Sequence, residues 1–205
     1  LAMVSCAVLG VVIERVAYKP LRRSTRVAAL ITAIGVSFLL ENVMSYLFGA
    51  EIRPFPSDFG TTNYTLFGNI TINGKQILIF ATTVILMALL QFIVHYTKMG
   101  KAMRAVAVDE DAAQLMGIDV DQVISFTFAL GSSLAGIAGV LVALYYNTFS
   151  ATMGIVPGLK AFVAAVLGGI GSIPGAMIGG YVIGLLETFV SYLGFSPYKD
   201  GVVYF

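Results

Sequence analysis

The sequence is poor in what a soluble domain carries on its surface. Charged residues fill only 11% of its 205 positions, against about 25% in an ordinary soluble domain. With 58% hydrophobic residues and a mean hydropathy of +0.91, that deficit points to an integral membrane protein. There is one cysteine, Cys6, in an apolar run. It can form no intrachain disulfide and reads as a small lipid- or helix-facing residue. There is one histidine, His95, too few for a metal cluster or a proton relay. Beside Tyr96 at the end of an apolar run it fits an interfacial anchor. H-E-x-x-H, G-x-S-x-G, Cys/His metal spacings and the phosphate loop G-x-x-x-x-G-K-[ST] are all absent. The expectation is a chain with no catalytic residues, no metal and no bound cofactor. A net charge of +1 suggests no nucleic-acid partner. No tandem repeat or low-complexity tract is visible. The opening LAMVSCAVLGVVI lacks an initiator Met and a basic n-region, so it is not a secretory signal. It reads as the tail of a transmembrane helix, and the closing GVVYF as the start of another. The chain is therefore expected to be an internal piece of a longer protein, or the ordered part of one.

What is present is a series of long apolar runs. A helix crossing a hydrocarbon core of about 30 Å needs about 20 apolar residues. Residues 27–48, 76–96 and 123–145 meet that length, 176–193 nearly does, and 159–170 falls short. The expected architecture is an all-α, polytopic transmembrane helical bundle. Lys and Arg set its orientation. Eight of the twelve fall in two alternate loops: Arg15, Lys19, Arg22, Arg23 and Arg26, then Lys98, Lys101 and Arg104. Arg53, Lys75, Lys160 and Lys199 lie on the other side. The bias places the first two loops in the cytoplasm and the long loop 49–75 outside. In that outer loop, Asn73-Gly74 signals a turn. Ile70 and Ile72 alternate with polar residues, as in a short hairpin. The loop is either a docking surface or a cap on the bundle.

Five of the eleven acidic residues crowd into DEDAAQLMGIDVDQV, residues 109–123. Asp109 suits an N-cap, with Glu110 and Asp111 on the positive end of the helix dipole. Ala112, Ala113, Leu115 and Met116 favour helix, and Gly117 suits the left-handed residue that ends one. A second register starts the helix near Lys101. It puts Ala105, Val108, Ala112, Leu115 and Met116 on one apolar face that needs covering. A solvated surface turn is the plainer alternative.

Polar groups inside the runs mark a further set. Glu41 and Asn42, and Glu187 in the last run, are expensive in lipid and so face a bundle interior or a wet path. They are candidates for a translocation path; the plainer reading is structural, a hydrogen bond between helices or snorkelling toward the outer interface. Gly131, Ala135, Gly139 and Ala143 recur every four residues as a stripe for close packing, and Gly171, Gly175, Gly179, Gly180 and Gly184 give further G-x-x-x-G pairs. Within GGIGSIPGA, residues Gly168, Gly169, Gly171, Pro174 and Gly175 predict a broken or re-entrant segment near the C-terminal end. Pro174 there disfavours helix at Ile173.

The motif D-A-A-Q-L-M-G, from Asp111 to Gly117, resembles the E-A-A-x-x-x-G loop of bacterial ABC importer permeases, with Asp for Glu. The I-x-L-P that follows in the maltose-type branch is missing; Phe126-Thr127-Phe128 stands in that region. ERVAYKPLR from residue 14, ITAIGVSFLLEN from 31, GLKAFVAAVLGGIGSIPGAMIGG from 158 and GLLETF from 184 resemble the H-type permeases of high-affinity branched-chain amino acid importers. Together they cover almost the whole chain. The resemblance implies one transmembrane permease domain over 1–205, in a bacterial inner membrane. It implies that residues 109–117 form a coupling helix docked on a separate ATP-hydrolysing chain. Implied partners are a related second permease, two ATP-binding subunits and a periplasmic or lipid-anchored substrate-binding protein, with ATP used by those subunits. A permease for urea, amides or a simple sugar, or an ion-coupled carrier, stays open as an alternative.

Overall fold

The computed structural model of the chain describes residues 1–21, 26–55, 63–66, 70–194 and 201; at 26, 27, 29, 30, 63–66, 70–72 only the backbone is considered. The described chain is mostly helical. α1 (Ala2–Ile13) continues through a π turn (Glu14–Tyr18) and a 3-10 turn (Lys19–Leu21), and is followed by α2 (Arg26–Phe48). Two-residue β1 (Arg53–Pro54) and strands β2 (Asn63–Leu66) and β3 (Ile70–Asn73) lead into α3 (Gly74–Tyr96), α4 (Lys98–Val108), α5 (Glu110–Leu115) and α6 (Val120–Tyr146). β4 (Thr148–Phe149), α7 (Ile155–Leu167) and α8 (Ile173–Tyr192) complete it. Ile31–Phe48 of α2, and all of α3, α6 and α8, are long and apolar enough to cross a membrane. The chain forms two compact units, Leu1–Ala151 and Thr152–Phe205. The closing GVVYF lies outside the described residues except for Gly201, as do Arg22, Arg23, Pro56 and Lys199.

In the first unit α1 runs antiparallel along α6, and small residues set how close they come. A Cβ on Gly10 would collide with Ser132; one on Gly136 would lie 2.9 Å from Cys6 Sγ and 3.0 Å from the Ala2 carbonyl. The seam on α6 is therefore Phe128, Ser132 and Gly136, at the four-residue spacing of one helix face. This departs from the expected stripe. Ala143 is buried, but no described atom lies within 4 Å of a Cβ placed on Gly131 or Gly139. Two parallel stripes of small residues exist on α6, and the partner helix chose the one where Cys6 and Ser132 fill the groove.

The end of α6 is a junction. Asn147 adopts the left-handed conformation (φ 55°) and stops the helix. Its carbonyl accepts from Phe55 N–H at 2.8 Å, and its side-chain oxygen accepts from Lys75 Nζ at 2.5 Å. β1 pairs with β4 beside it, Arg53 opposite Phe149, and Phe55 meets Phe149 edge to face at 6.4 Å. The described part of the outer loop is thus stitched onto the helix end. The hairpin expected around Ile70 is present: β2 and β3 pair antiparallel, Asn63 opposite Asn73. Asn73 makes no turn at its tip, however. It is the N-cap of α3, with its N–H donating to Gln76 Oε1 at 3.3 Å. A residue that favours turns also favours helix starts, for the same side-chain reason.

The second unit is the α7–α8 hairpin. α7 is 13 residues long, about 20 Å at a rise of ~1.5 Å per residue, short of the hydrocarbon core as the sequence suggested. The turn falls at Gly168, with Gly169 (φ +90°) and Gly171 (φ +99°) in the conformation that side chains disfavour. Pro174 and Gly175 are not in the turn. Ser172 caps α8, accepting from Gly175 N–H at 3.1 Å, and Pro174 sits in the first helical turn. A first-turn proline loses no hydrogen bond, because that N–H has no partner in the helix anyway. The two helices meet backbone to backbone: a Cβ on Gly168 would strike Gly175, and one on Gly179 would strike the Ala164 carbonyl. Ala164, Ile183 and Val163 pack beside this contact. Lys160 is a residue of α7 rather than a loop, so the loop charge bias is cleaner than expected.

Two outcomes follow from this packing. Gly179→Leu should lower the thermal stability of the purified protein in detergent by about 2 kcal/mol through overpacking, while Gly180→Leu, with no described atom nearby, should leave the melting curve in place. Asn147→Ala should cost about 1–2 kcal/mol from the lost bond and the left-handed backbone, and Asn147→Gly should recover the backbone part in the same measurement.

Candidate functional site

The charged segment between α3 and α6 is built as a sequence of caps. Thr97 stops α3 and starts α4: its Oγ1 donates to the Ile93 carbonyl at 2.5 Å and accepts from Gly100 N–H at 3.0 Å. Gly100 is buried, and a Cβ there would strike the Ile93 and Val94 carbonyls. α4 is therefore folded tightly on the end of α3. Arg104 reaches back to His95, Nη1 to Nδ1 at 2.7 Å. A guanidinium only donates, so Nδ1 is the acceptor. His95 thus ties the two helices together.

Asp109 breaks the helix. It is extended (φ −153°, ψ 112°), its N–H closes α4 on the Ala105 carbonyl at 3.1 Å, and its Oδ1 accepts from Ala112 N–H at 3.0 Å to start α5. The register that starts at Asp109 is the one formed, and the alternative of one continuous helix from near Lys101 is broken at Asp109. The chain makes both helices, α4 and α5, with Asp109 ending one and capping the other. α5 ends at Met116, and Gly117 takes φ +83°. Gly117 N–H donates to the Gln114 carbonyl at 3.0 Å and Ile118 N–H to the Ala113 carbonyl at 3.1 Å, the paired bonds of a Schellman end. Asp119 then caps α6, taking Gln122 N–H at 3.1 Å on Oδ1 and Gln122 Nε2 at 2.8 Å on Oδ2.

The eight residues singled out here divide by exposure. Ala113 is turned inward, at 4% exposure, while Leu115 and Met116 stand out at 89% and 83%. Val108 at the end of α4 is equally bare. Asp109, Glu110, Asp111, Ala112 and Gly117 are exposed. The segment therefore presents apolar side chains ringed by carboxylates, on a backbone fixed at both ends. Lys19 Nζ meets Asp121 Oδ2 at 2.7 Å, which puts the two Lys/Arg-rich loops on the same side.

The polar residues of the apolar helices are not drawn into one cluster. Glu41 Oε1 accepts from Ser37 Oγ at 3.3 Å and Asn42 Nδ2 donates to the Phe38 carbonyl at 2.7 Å, both one turn back on α2. Glu187 belongs to the second unit and pairs with Lys160 at 2.7 Å. That pair ties α7 to α8. Glu14 is a residue that the sequence does not single out. It is the only buried charged residue among those described, at 0% exposure, and accepts from Ser125 Oγ at 2.7 Å. The one signal for it is its place directly after an unbroken apolar run.

A family model described as "Branched-chain amino acid transport system / permease component" matches residues 1–205. The chain is 42% identical over 204 residues to the high-affinity branched-chain amino acid transport system permease protein LivH of Escherichia coli K12, covering 98% of this chain and 66% of the relative. It is 38% identical over 208 residues to the corresponding protein BraD of Pseudomonas aeruginosa, covering 99% and 67%. The ribose import permease protein RbsC of Escherichia coli K12 is 29% identical over 188 residues, covering 87% and 57%. The chain thus spans just under two thirds of the length of its Escherichia coli LivH relative. No solved structure matches it. A match along every residue, identities near two in five, and helices fit to span a membrane agree: the chain belongs to the family of branched-chain amino acid transport system permease components.

Proposed function

We propose that this chain is the membrane pathway part of an ATP-driven importer that moves branched-chain amino acids into the cytoplasm, and that α5 is where the motor subunits push. The carrying observation is the form of 109–117: a short helix closed by Asp109 and by Gly117, with Leu115 and Met116 bare at its tip. Exposed apolar side chains on an otherwise charged segment mark a protein contact. The partner in this reading is a separate ATP-hydrolysing chain, as the resemblance of Asp111–Gly117 to the importer permeases' coupling loop implies. In this reading the loops of Lys19 and Lys101 lie in the cytoplasm, as their positive charge favours. A second related permease completes the pathway, and a substrate-binding protein delivers the amino acid from outside.

ATP-driven closure of the motors displaces α5. Only residues 116–119 separate it from α6, and both junctions are fixed by hydrogen bonds, so the displacement passes into a 27-residue helix. Glu41 and Asn42 project from α2, whose Ile31–Phe48 stretch is uncovered by the described chain, and we place them on the path. Glu187 reaches a substrate only where its pair with Lys160 opens. The substrate class is carried by the relatives: the amino acid permeases match more closely and over more of their length than the ribose permease does.

Ala112→Arg puts a long cation on an exposed face of α5 and disturbs no buried contact. It should reduce uptake of labelled leucine by the complete transporter at least about tenfold, as loss of an interface contact does, while membrane insertion and yield stay normal. Gly117→Pro removes the N–H that closes α5 and forbids its φ, and should abolish uptake. Normal uptake by Ala112→Arg would remove α5 from the coupling role. The ligand recovered on the companion binding protein identifies the substrate.

A further inference from the structure

Glu14 is wholly buried, and the function proposed above does not use it. It lies where α1 passes into the π turn, yet the helix does not stop there. Glu14 keeps right-handed helical angles (φ −56°, ψ −51°), as does Lys19 (φ −55°, ψ −42°). Only the hydrogen-bond step changes: Lys19 N–H donates to the Glu14 carbonyl, five residues back. A bond of that step stacks residue 19 over residue 14. In an α-helix residue 18 would take that place, and residue 19 would be turned away by about 100° more.

The facing helix keeps ordinary spacing. Ser125 and Asp121 are four residues apart on α6 and share a face. Ser125 Oγ donates to Glu14 Oε2 at 2.7 Å, and Lys19 Nζ meets Asp121 Oδ2 at 2.7 Å. Tyr18 packs on Phe128 with ring centroids 5.0 Å apart. The π turn thus fits a five-residue step on one helix to a four-residue step on its neighbour, and both polar contacts form at once. The two are unequal. The ion pair is about half exposed and weak in water, whereas the bond to the buried carboxylate is charge-assisted and dry. Stability alone does not call for a buried carboxylate, since an apolar pair of like volume holds helices at least as well.

α6 is also the helix that continues from α5. We infer that the Glu14–Ser125 bond, set in register by the π turn, makes α1 travel with α6, so that a push received at α5 moves two membrane helices as one strut. Glu14 and Ser125 are then positioning residues of the transport cycle, acting through α6 rather than on the substrate. This inference rests on the proposed role of α5.

The test uses the complete transporter in proteoliposomes, with ATP hydrolysis and leucine import measured in the same vesicles. Ser125→Ala removes one hydroxyl and leaves the seam filled. Import per ATP hydrolysed should fall about tenfold, the size of a lost hydrogen bond to a charged group, with the hydrolysis rate per assembled complex unchanged. Lys19→Ala removes only the exposed pair and should leave the ratio close to that of the unmodified complex. A structural contact alone would not give that pattern. An unchanged ratio in Ser125→Ala overturns the inference, and so does a fall in import matched by an equal fall in hydrolysis. If Ser125→Ala fails to assemble, Glu14→Gln, which keeps the shape and weakens the bond, decides by the same ratio. Import of no amino acid by the unmodified complex would overturn the proposed function instead, and that control is read first.

Discussion

Inside a bilayer the backbone has no water to bond with, so every N–H and C=O must find a partner within the protein. The rest of this structure follows from that constraint. The long segments are helices because helices satisfy themselves. The chain can turn only where some other group takes over the loose backbone ends. Five helix starts are each built on a side-chain oxygen residue: Asn73, Thr97, Asp109, Asp119 and Ser172. The ends use residues that tolerate a left-handed backbone: Gly117, Asn147 and the Gly169–Gly171 pair. Between these points the helices approach one another through glycine, where backbone meets backbone or a small side chain fills the gap.

These local devices were legible in the sequence because each depends on neighbours in the chain. Asp109 and Gly117 bounded a helix on paper and bound one in the fold. The glycines after Leu167 signalled a turn and form it. What could not be read depends on partners distant in sequence. Two small-residue stripes run along α6, and nothing in either says that Cys6 and Gly10 will lie on Phe128, Ser132 and Gly136. Glu14 after an apolar run looks like the first residue of a loop unless Ser125 is known to face it. The π turn has no sequence signature, since it answers a spacing on another helix. Pro174 misled for a different reason. The same ring ends a helix or opens one, and the capping Ser172 decides which. The candidate site was legible as a segment and not as a surface. Its caps were written in the sequence, while the inward turn of Ala113 and the exposure of Leu115 and Met116 required the fold.

The functional reading gains from the same division. Family membership rests on similarity along the whole chain; the proposed route of force rests on how α5 is held. A helix of six residues has little rigidity of its own. Held by Asp109 against α4 and by a Schellman end against α6, it is fixed to longer helices at both ends. The carboxylates play a quieter part: Glu187 is paired with Lys160 on the helix packed against it, while Glu41 and Glu14 each accept from a serine hydroxyl.

The hairpin of α7 and α8 has one flush end and one stepped end. With Gly168 opposite Gly175 and Ala164 opposite Gly179, position 187 lies level with position 156, at the first turn of α7. Beyond that level α8 continues to Tyr192, past the start of α7. A bilayer meeting such a step thins locally or lets headgroups and water down beside the longer helix. Glu187 sits at the foot of that step. Its ion pair with Lys160 lies near that level, with side chains 21% and 24% exposed, so the thickness of the surrounding membrane bears on the cost of holding the two charges there.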